Sequence, residues 1–182
     1  MLYEVKIKHI LKKGRMIMTS LKIEDFKENV FTKIGKEWML IGTRQGEKSN
    51  AMTASWGGLG IMWGKEVAFV FIRESRYTKK IVDNGENLSL SFFSEDYKKM
   101  LGYMGQASGK NEDKIKTANL HMLPGYKVPV FEEASMTMIC KKLYAQPMSE
   151  EFFTDKECVS RWYGDNDYHT MYVVEIESIE IK

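Results

Sequence analysis

The chain has 182 residues, 43% hydrophobic and 29% charged, with a formal net charge of +2 and two cysteines. That length can bury a core without staples, the composition excludes disorder, and no apolar run approaches the roughly 20 residues of a membrane-spanning helix. In the first sixteen residues Lys6, Lys8, Lys12, Lys13 and Arg15 stand against Glu4 alone. The remainder is therefore slightly acidic, which argues against a nucleic-acid footprint.

The opening segment lacks the apolar core and small-residue cleavage site of a signal peptide, so a cytoplasmic protein with reduced thiols is expected. Met16 and Met18 offer alternative starts. Residues 1–17 are expected to form a peripheral extension to a domain over 18–182. Cys140 and Cys158 have neither a C-x-x-C context nor paired histidines, which gives no basis for a zinc site or a disulfide framework.

Ile23, Phe26, Val30 and Ile34 recur at spacings of three and four, which predicts a short amphipathic helix or helical turn over 22–34 that caps an open end of the fold. A strand over 37–44 and a polar turn over 45–49 lead into SNAMTASWGGLGIMWG at 49–64. Met52, Ala54 and Trp56 alternate there with Thr53 and Ser55, until Gly57, Gly58 and Gly60 break the pattern. Two readings stay open. The glycines let backbone approach a planar, hydrogen-bonding heterocycle, with Asn50, Thr53 and Ser55 beside exposed main-chain groups, or they make a tight hairpin between two core strands.

The apolar run EVAFVFI at 66–72 predicts a strand buried on both faces. RESRYT at 73–78 then opens a helix over 77–84 that stops at Gly85. Unpaired first-turn N–H groups, with Arg73, Ser75, Arg76 and Thr78, make an anion site fit for a phosphate. The alternative is a solvated cap with Ser75 as N-cap. A strand over 87–93, a helix over 96–104, a polar loop GQASGKNEDK at 105–114 and a helical turn over 113–118 follow. A long strand over 134–145 with a bulge at Lys141 and Lys142 precedes the final strand over 171–181. Staves separated by short helices, without a βαβ rhythm, predict a mainly β fold, an antiparallel barrel with peripheral helices.

Common nucleotide signatures fail. Trp63 stands where the dinucleotide fingerprint needs its last glycine, and Gly64-Lys65 is followed by Glu66, so there is no P-loop. With His9, His121 and His169 as its histidines, the chain is poorly supplied for triads or multi-histidine metal centres. A lone His169 is as such more often structural than catalytic.

Five blocks in order, NAMTASWGGLG (50–60), RESRYT (73–78), LSLSFF (88–93), SGKNEDK (108–114) and DYHTMYVVEI (167–176), resemble the flavin reductase-like, FMN-binding split-barrel family, in the branch that includes flavoredoxins. The likeness runs from about Phe31 to the C-terminus. It implies a Greek-key-like split β-barrel and a homodimer with noncovalent FMN at or near the interface. It places Asn50, Met52, Thr53, Ala54, Ser55 and Trp56 along the ring, with main-chain groups of 53–55 on its polar edge. Arg73, Ser75, Arg76, Tyr77 and Thr78 would hold the phosphate. Ser108, Gly109 and Lys110 would close over ring or sugar, with Asp113 and Lys114 as a supporting pair. Lys110 stands where relatives commonly have arginine. His169 matches a late histidine near the ring face and is the one catalytic candidate, with Tyr163 nearby; no metal is implied.

The implied activity is an FMN-dependent oxidoreductase that takes hydride from NAD(P)H and passes electrons to free flavin, iron or a redox partner. The alternatives are a flavoredoxin-type electron carrier without direct NAD(P)H activity, and a non-catalytic flavin- or ligand-binding module. No rubredoxin-like module can be built from two cysteines.

Overall fold

The computed structural model describes residues 18–182; the expected extension over 1–17 lies outside them. The architecture is an open antiparallel sheet with peripheral helices, a split barrel. Its strands are β1 (Thr19–Leu21), β2 (Met39–Gln45), β3 (Lys48–Ala54), β4 (Gly57–Met62), β5 (Lys65–Arg73), β6 (Asn87–Phe92), β7 (Met136–Pro147) and β8 (His169–Ile181). The hydrogen-bonded order is β3-β2-β6-β7-β8-β5-β4, with β1 pairing the end of β8. Sequence neighbours β3 and β4 are therefore the two edges of the path. The chain steps from one edge to the other through Ser55 and Trp56, and the split lies there.

Strand alternation builds the interior, because every second side chain faces the same way. Met39 and Ile41, Ala68, Val70 and Ile72, Leu88 and Leu90, and Tyr172 and Val174 meet in one buried cluster. A second cluster on the outer face of β2 and β3 joins Leu40 and Ala51 to Leu101, Met104 and Ile115. These last come from α3 (Lys98–Gln106) and α4 (Lys114–Thr117). Cys140 is buried inside the barrel, where burial pushes its thiol up, with Glu177 adding; Cys158 is exposed, and both are free.

The helix or helical turn expected over 22–34 takes the form of turns rather than one helix, a 3-10 turn at Ile23–Asp25 and, after an extended stretch, a helical segment made of α1 (Val30–Thr32) and a π turn at Lys33–Glu37. Asn29 restarts it by accepting from the Thr32 N–H at 3.1 Å, so the apolar spacing spans two separate turns. The glycines are not a turn: Gly57, Gly58 and Gly60 lie inside β4, and the hairpin to β5 turns at Trp63 and Gly64, both with positive φ. A Cβ on Gly57 would sit 2.6 Å from the Phe69 carbonyl oxygen, which explains its glycine. β5 is not buried on both faces, since Phe69 and Phe71 are partly exposed. In β7, Leu143 is the extra residue, and the expected irregularity falls beside Lys142. A further helix, α5 (Lys156–Trp162), had no counterpart in the sequence reading.

Candidate functional site

Two adjoining cavities meet at Arg76. One, of about 260 Å³, is lined by Met52, Thr53, Ala54, Ser55 and Trp56, and by Phe71, Arg73, Arg76, Gly105, Trp162 and His169. The other, of about 120 Å³, is walled by Ser75, Arg76, Tyr77 and Thr78 and by Gln106, Ala107, Ser108, Gly109 and Lys114. The strand at the split and the helix start after β5 thus share a cleft.

β3 supplies the first wall because it is an edge: its outer main-chain groups have no strand partner among the described residues. Thr53 faces α3, its hydroxyl donating to the Leu101 carbonyl at 2.6 Å, and Gly105 passes close beside it. Trp56 and Trp162 meet edge to face at 5.1 Å, and the His169 ring lies 4.8 Å from Trp56. His169 is buried, with Nδ1 at 2.9 Å from the Tyr163 hydroxyl. Burial first, then the Arg73 charge, pushes His169 down to about 4 against the opposing pull of Asp167. The imidazole is therefore neutral at pH 7, a hydrogen-bonding group rather than a cation.

The second wall is the start of α2 (Tyr77–Asn84). Arg76, not Ser75, is its N-cap and gives it no side-chain cap bond. Ser75 turns away: its N–H and hydroxyl donate to Asp167 at 2.9 and 2.6 Å. The Arg76 and Lys79 N–H groups donate to the Arg73 and Arg76 carbonyls at 3.1 and 3.0 Å, so among the first-turn N–H groups those of Tyr77 and Thr78 are left beside the small cavity. Thr78 is buried and accepts from the Asn50 amide at 2.8 Å, a bond that ties β3 to α2. Arg76 is half-buried and makes no side-chain hydrogen bond or ion pair among the described residues; burial lowers its pKa, Asp167 opposes, and Arg73 adds to the lowering. As a guanidinium it stays charged.

Arg73 is committed elsewhere. Its two terminal nitrogens donate to the Asp167 and Trp162 carbonyls, each at 2.8 Å, and it lines the 260 Å³ cavity as a strut that fixes α5 and the approach to β8. Lys110 lines a different, larger cavity of about 620 Å³ on the flank of the 108–114 loop, where Asn50 also contributes. Asp113 and Lys114 form no pair: Asp113 caps α4 by accepting from the Lys116 N–H at 3.2 Å, while Lys114 is buried and donates to the Met104 and Ala107 carbonyls, both at 2.9 Å. Tyr163 stands behind His169 rather than in the cleft.

Trp162, Phe71 and Gly105 line the 260 Å³ cavity without having been singled out from sequence. Trp162 had a usable signal in Asp155, which caps α5 through the Glu157 N–H at 2.9 Å, but the helix is short. Phe71 read as core because its run is unbroken in hydrophobicity.

The fold has known counterparts. The flavoredoxin of Desulfovibrio vulgaris (Miyazaki F) aligns with a TM-score of 0.62 at 22% identity, covering 80% of this chain and 69% of that one. An FMN-binding domain of a flavin reductases-like enzyme from Shewanella baltica OS155 aligns at 0.65 with 11% identity, covering 91% and 77%. An FMN-binding protein from Thermus thermophilus with bound 1-cyclohex-2-enone aligns at 0.60 with 20% identity, covering 89% and 79%. No curated protein matches the chain in sequence. Residues 31–182 match the family described as flavin reductase like domain, which contains the cleft, both its walls and every strand but β1, and the chain belongs to that family.

Proposed function

We propose that the protein holds FMN noncovalently in this cleft and works as an FMN-dependent oxidoreductase, accepting hydride from NAD(P)H and delivering electrons to free flavin, iron or a redox partner. The observation that carries the reading is Arg76, a half-buried cation unpaired among the described residues, at the junction between the cleft beside the β3 edge and a small polar cavity. The donor set fits a flavin phosphate: Tyr77 and Thr78, whose first-turn N–H groups are free, line one cavity with the cationic Arg76 and Lys114, a setting that stabilises an anion. The unpaired edge of β3 offers main-chain donors and acceptors for the polar rim of a planar ring.

When bound, the flavin supplies the hydride and electron chemistry itself. The chain's own residues bind and align. Main-chain groups of Thr53, Ala54 and Ser55 fix the ring's orientation, Trp56 and Trp162 exclude water, and neutral His169 presents a hydrogen-bonding nitrogen without adding charge. A homodimer with the flavin near the interface belongs to the same reading. The partly exposed Phe69 and Phe71 and the exposed Ile61 and Trp63, all on the β4–β5 hairpin, support it.

Flavin content and titration test the binding. Arg76→Ala is expected to weaken FMN affinity by the loss of charge-assisted bonds, about 1.5–3 kcal/mol each, and unchanged affinity would remove the phosphate assignment. The electron-carrier reading is favoured by the Trp56–Trp162 contact, which narrows the cleft where a nicotinamide must approach. Anaerobic mixing with NADPH separates the two, since bleaching of bound flavin supports the oxidoreductase and persistent yellow the carrier.

A further inference from the structure

One wall of the cleft is unlike the others. β3, β5, β8 and α3 are tied into the buried clusters through Met52, Ile72, Tyr172 and Leu101. Trp162 reaches the same cleft from α5, a helix with no buried residue and no member in any of the core clusters. It is 44% exposed, which puts it at the mouth.

The main chain at Trp162 is pinned and its indole is not. The carbonyl accepts from Arg73 at 2.8 Å, and Tyr163 is held twice, by its N–H to the Val159 carbonyl at 2.8 Å and by its hydroxyl, 2.9 Å from His169 Nδ1. The indole meets Trp56 edge to face with centroids 5.1 Å apart and carries the Arg161 guanidinium over it at 5.2 Å; its N–H makes no hydrogen bond among the described residues. A change of side-chain rotamer gives up these contacts alone and disturbs no core.

Hydride delivery makes a demand on this corner. The C4–H bond of a dihydronicotinamide breaks with both its electrons as the N5–H bond of the flavin forms, so the donor leaves as a pyridinium and the flavin gains two electrons. The reacting atoms must come within about 3–3.5 Å of one another, ring over ring. The cleft, of about 260 Å³, lies below the roughly 300 Å³ at which pockets for drug-sized ligands begin. With the indole where it stands, there is room for one ring system and not for a second stacked on it.

We infer that Trp162 is the specificity-determining residue for the electron donor: its indole occupies the room that a nicotinamide ring needs, and a dinucleotide binds only by swinging it aside. The inference rests on the flavin reading and has the same sign under both of its forms. In an oxidoreductase Trp162 weakens nicotinamide binding, and in a carrier it blocks it. A donor that passes electrons without stacking on the ring, such as dithionite, is not sorted by this residue.

The test uses flavin-loaded wild type, Trp162→Ala and Trp162→Phe. Anaerobic bleaching by NADPH gives an apparent dissociation constant and a limiting rate. NADP⁺, which does not react with oxidised flavin, gives an equilibrium constant by difference absorbance, with dithionite reduction and FMN titration as controls. Expected in Trp162→Ala is nicotinamide affinity about 3- to 10-fold tighter by both measures, the range of one aromatic pair, with limiting rate and FMN affinity within about threefold of wild type. Dithionite reduction should be unchanged, and Trp162→Phe should fall between. If wild type stays yellow with NADPH, Trp162→Ala should bleach. A Trp162→Ala protein that keeps FMN and binds NADP⁺ no better than wild type overturns the inference. So does one that loses FMN, since the indole is then part of the flavin's own hold. Should the alanine variant fail to fold, equal nicotinamide affinity in wild type and Trp162→Phe overturns it. Wild type that binds no FMN removes the flavin reading and this inference together, whereas FMN bound throughout with nicotinamide affinity unmoved leaves the flavin reading and removes the inference alone.

Discussion

His169 and Lys114 are both bases whose burial opposes protonation, and each leaves its mark on stability in a different pH window. His169 is lowered from its ordinary 6.5 to about 4. Between these values the unfolded chain holds a proton that the folded one refuses, so its contribution is full above 6.5 and is lost as pH falls towards 4, about 3 kcal/mol in all. Melting of flavin-free protein across that window should show the acid limb, and His169→Gln should flatten it; an unchanged limb would mean that another group carries it. Lys114, lowered to about 8 from 10.5, works in the alkaline window with the same sign, so the flavin-free protein should gain stability from pH 8 to 10.5. Lys114→Gln should abolish that gain. Neither shift was legible in the sequence, because burial and the charges of Arg73 and Arg76 come from other elements.

At the level of elements, the glycines of β4 have unequal roles. A Cβ on Gly57 meets the main-chain oxygen of Phe69 at 2.6 Å, whereas one on Gly58 has only a Phe69 ring carbon, at 3.9 Å. Gly57→Ala should therefore lower stability by about 1–3 kcal/mol and loosen the β4–β5 hairpin, while Gly58→Ala stays near wild type. Denaturant melts of the two variants check this, and equal stabilities would mean that the hairpin yields without cost. α2 is fixed from both ends. Asn50 holds Thr78 at its start, and Lys142 donates to the Val82 and Asp83 carbonyls at its end, at 2.7 and 2.8 Å. Tyr172 donates to Asp83 at 2.6 Å and Lys79 bridges Asp83 and Glu74, so Asp83→Ala should cost about 1–3 kcal/mol in the same melts, and a loss under 0.5 kcal/mol would demote the network to surface decoration. The apolar spacing and Gly85 placed α2 correctly, and the alternative of a solvated cap with Ser75 as N-cap is the one that fails. Asp167, distant in sequence, takes both Ser75 donors.

For the whole molecule, the proposed flavin would link binding to global stability, because a ligand that binds only the folded state stabilises it. A flavin bound across the β3 edge and the start of α2 joins parts that otherwise meet through few bonds, and at a hundredfold excess over its dissociation constant it should add about 2.7 kcal/mol. Hydrogen exchange should show the added protection concentrated on β3 and the 105–114 loop. Protection spread evenly, or none, would place the ligand elsewhere. Sedimentation of the 21.2 kDa chain tests the proposed homodimer, with a single species near twice that mass expected.

Period-two alternation and the absence of a βαβ rhythm determined the mainly β class, and five ordered blocks of residue types pointed to the family, because both are local patterns that need no knowledge of what touches what. Tertiary structure decided the rest. It made β3 and β4, adjacent in the chain, the two edges of one sheet, and it moved the hairpin turn to Trp63 and Gly64. It also tied Arg73 to the carbonyls of Asp167 and Trp162 while leaving Arg76 and Lys114 facing a common cavity. Residue type says that an arginine is charged; only packing says which arginine already has its hydrogen bonds and which still has room for an anion.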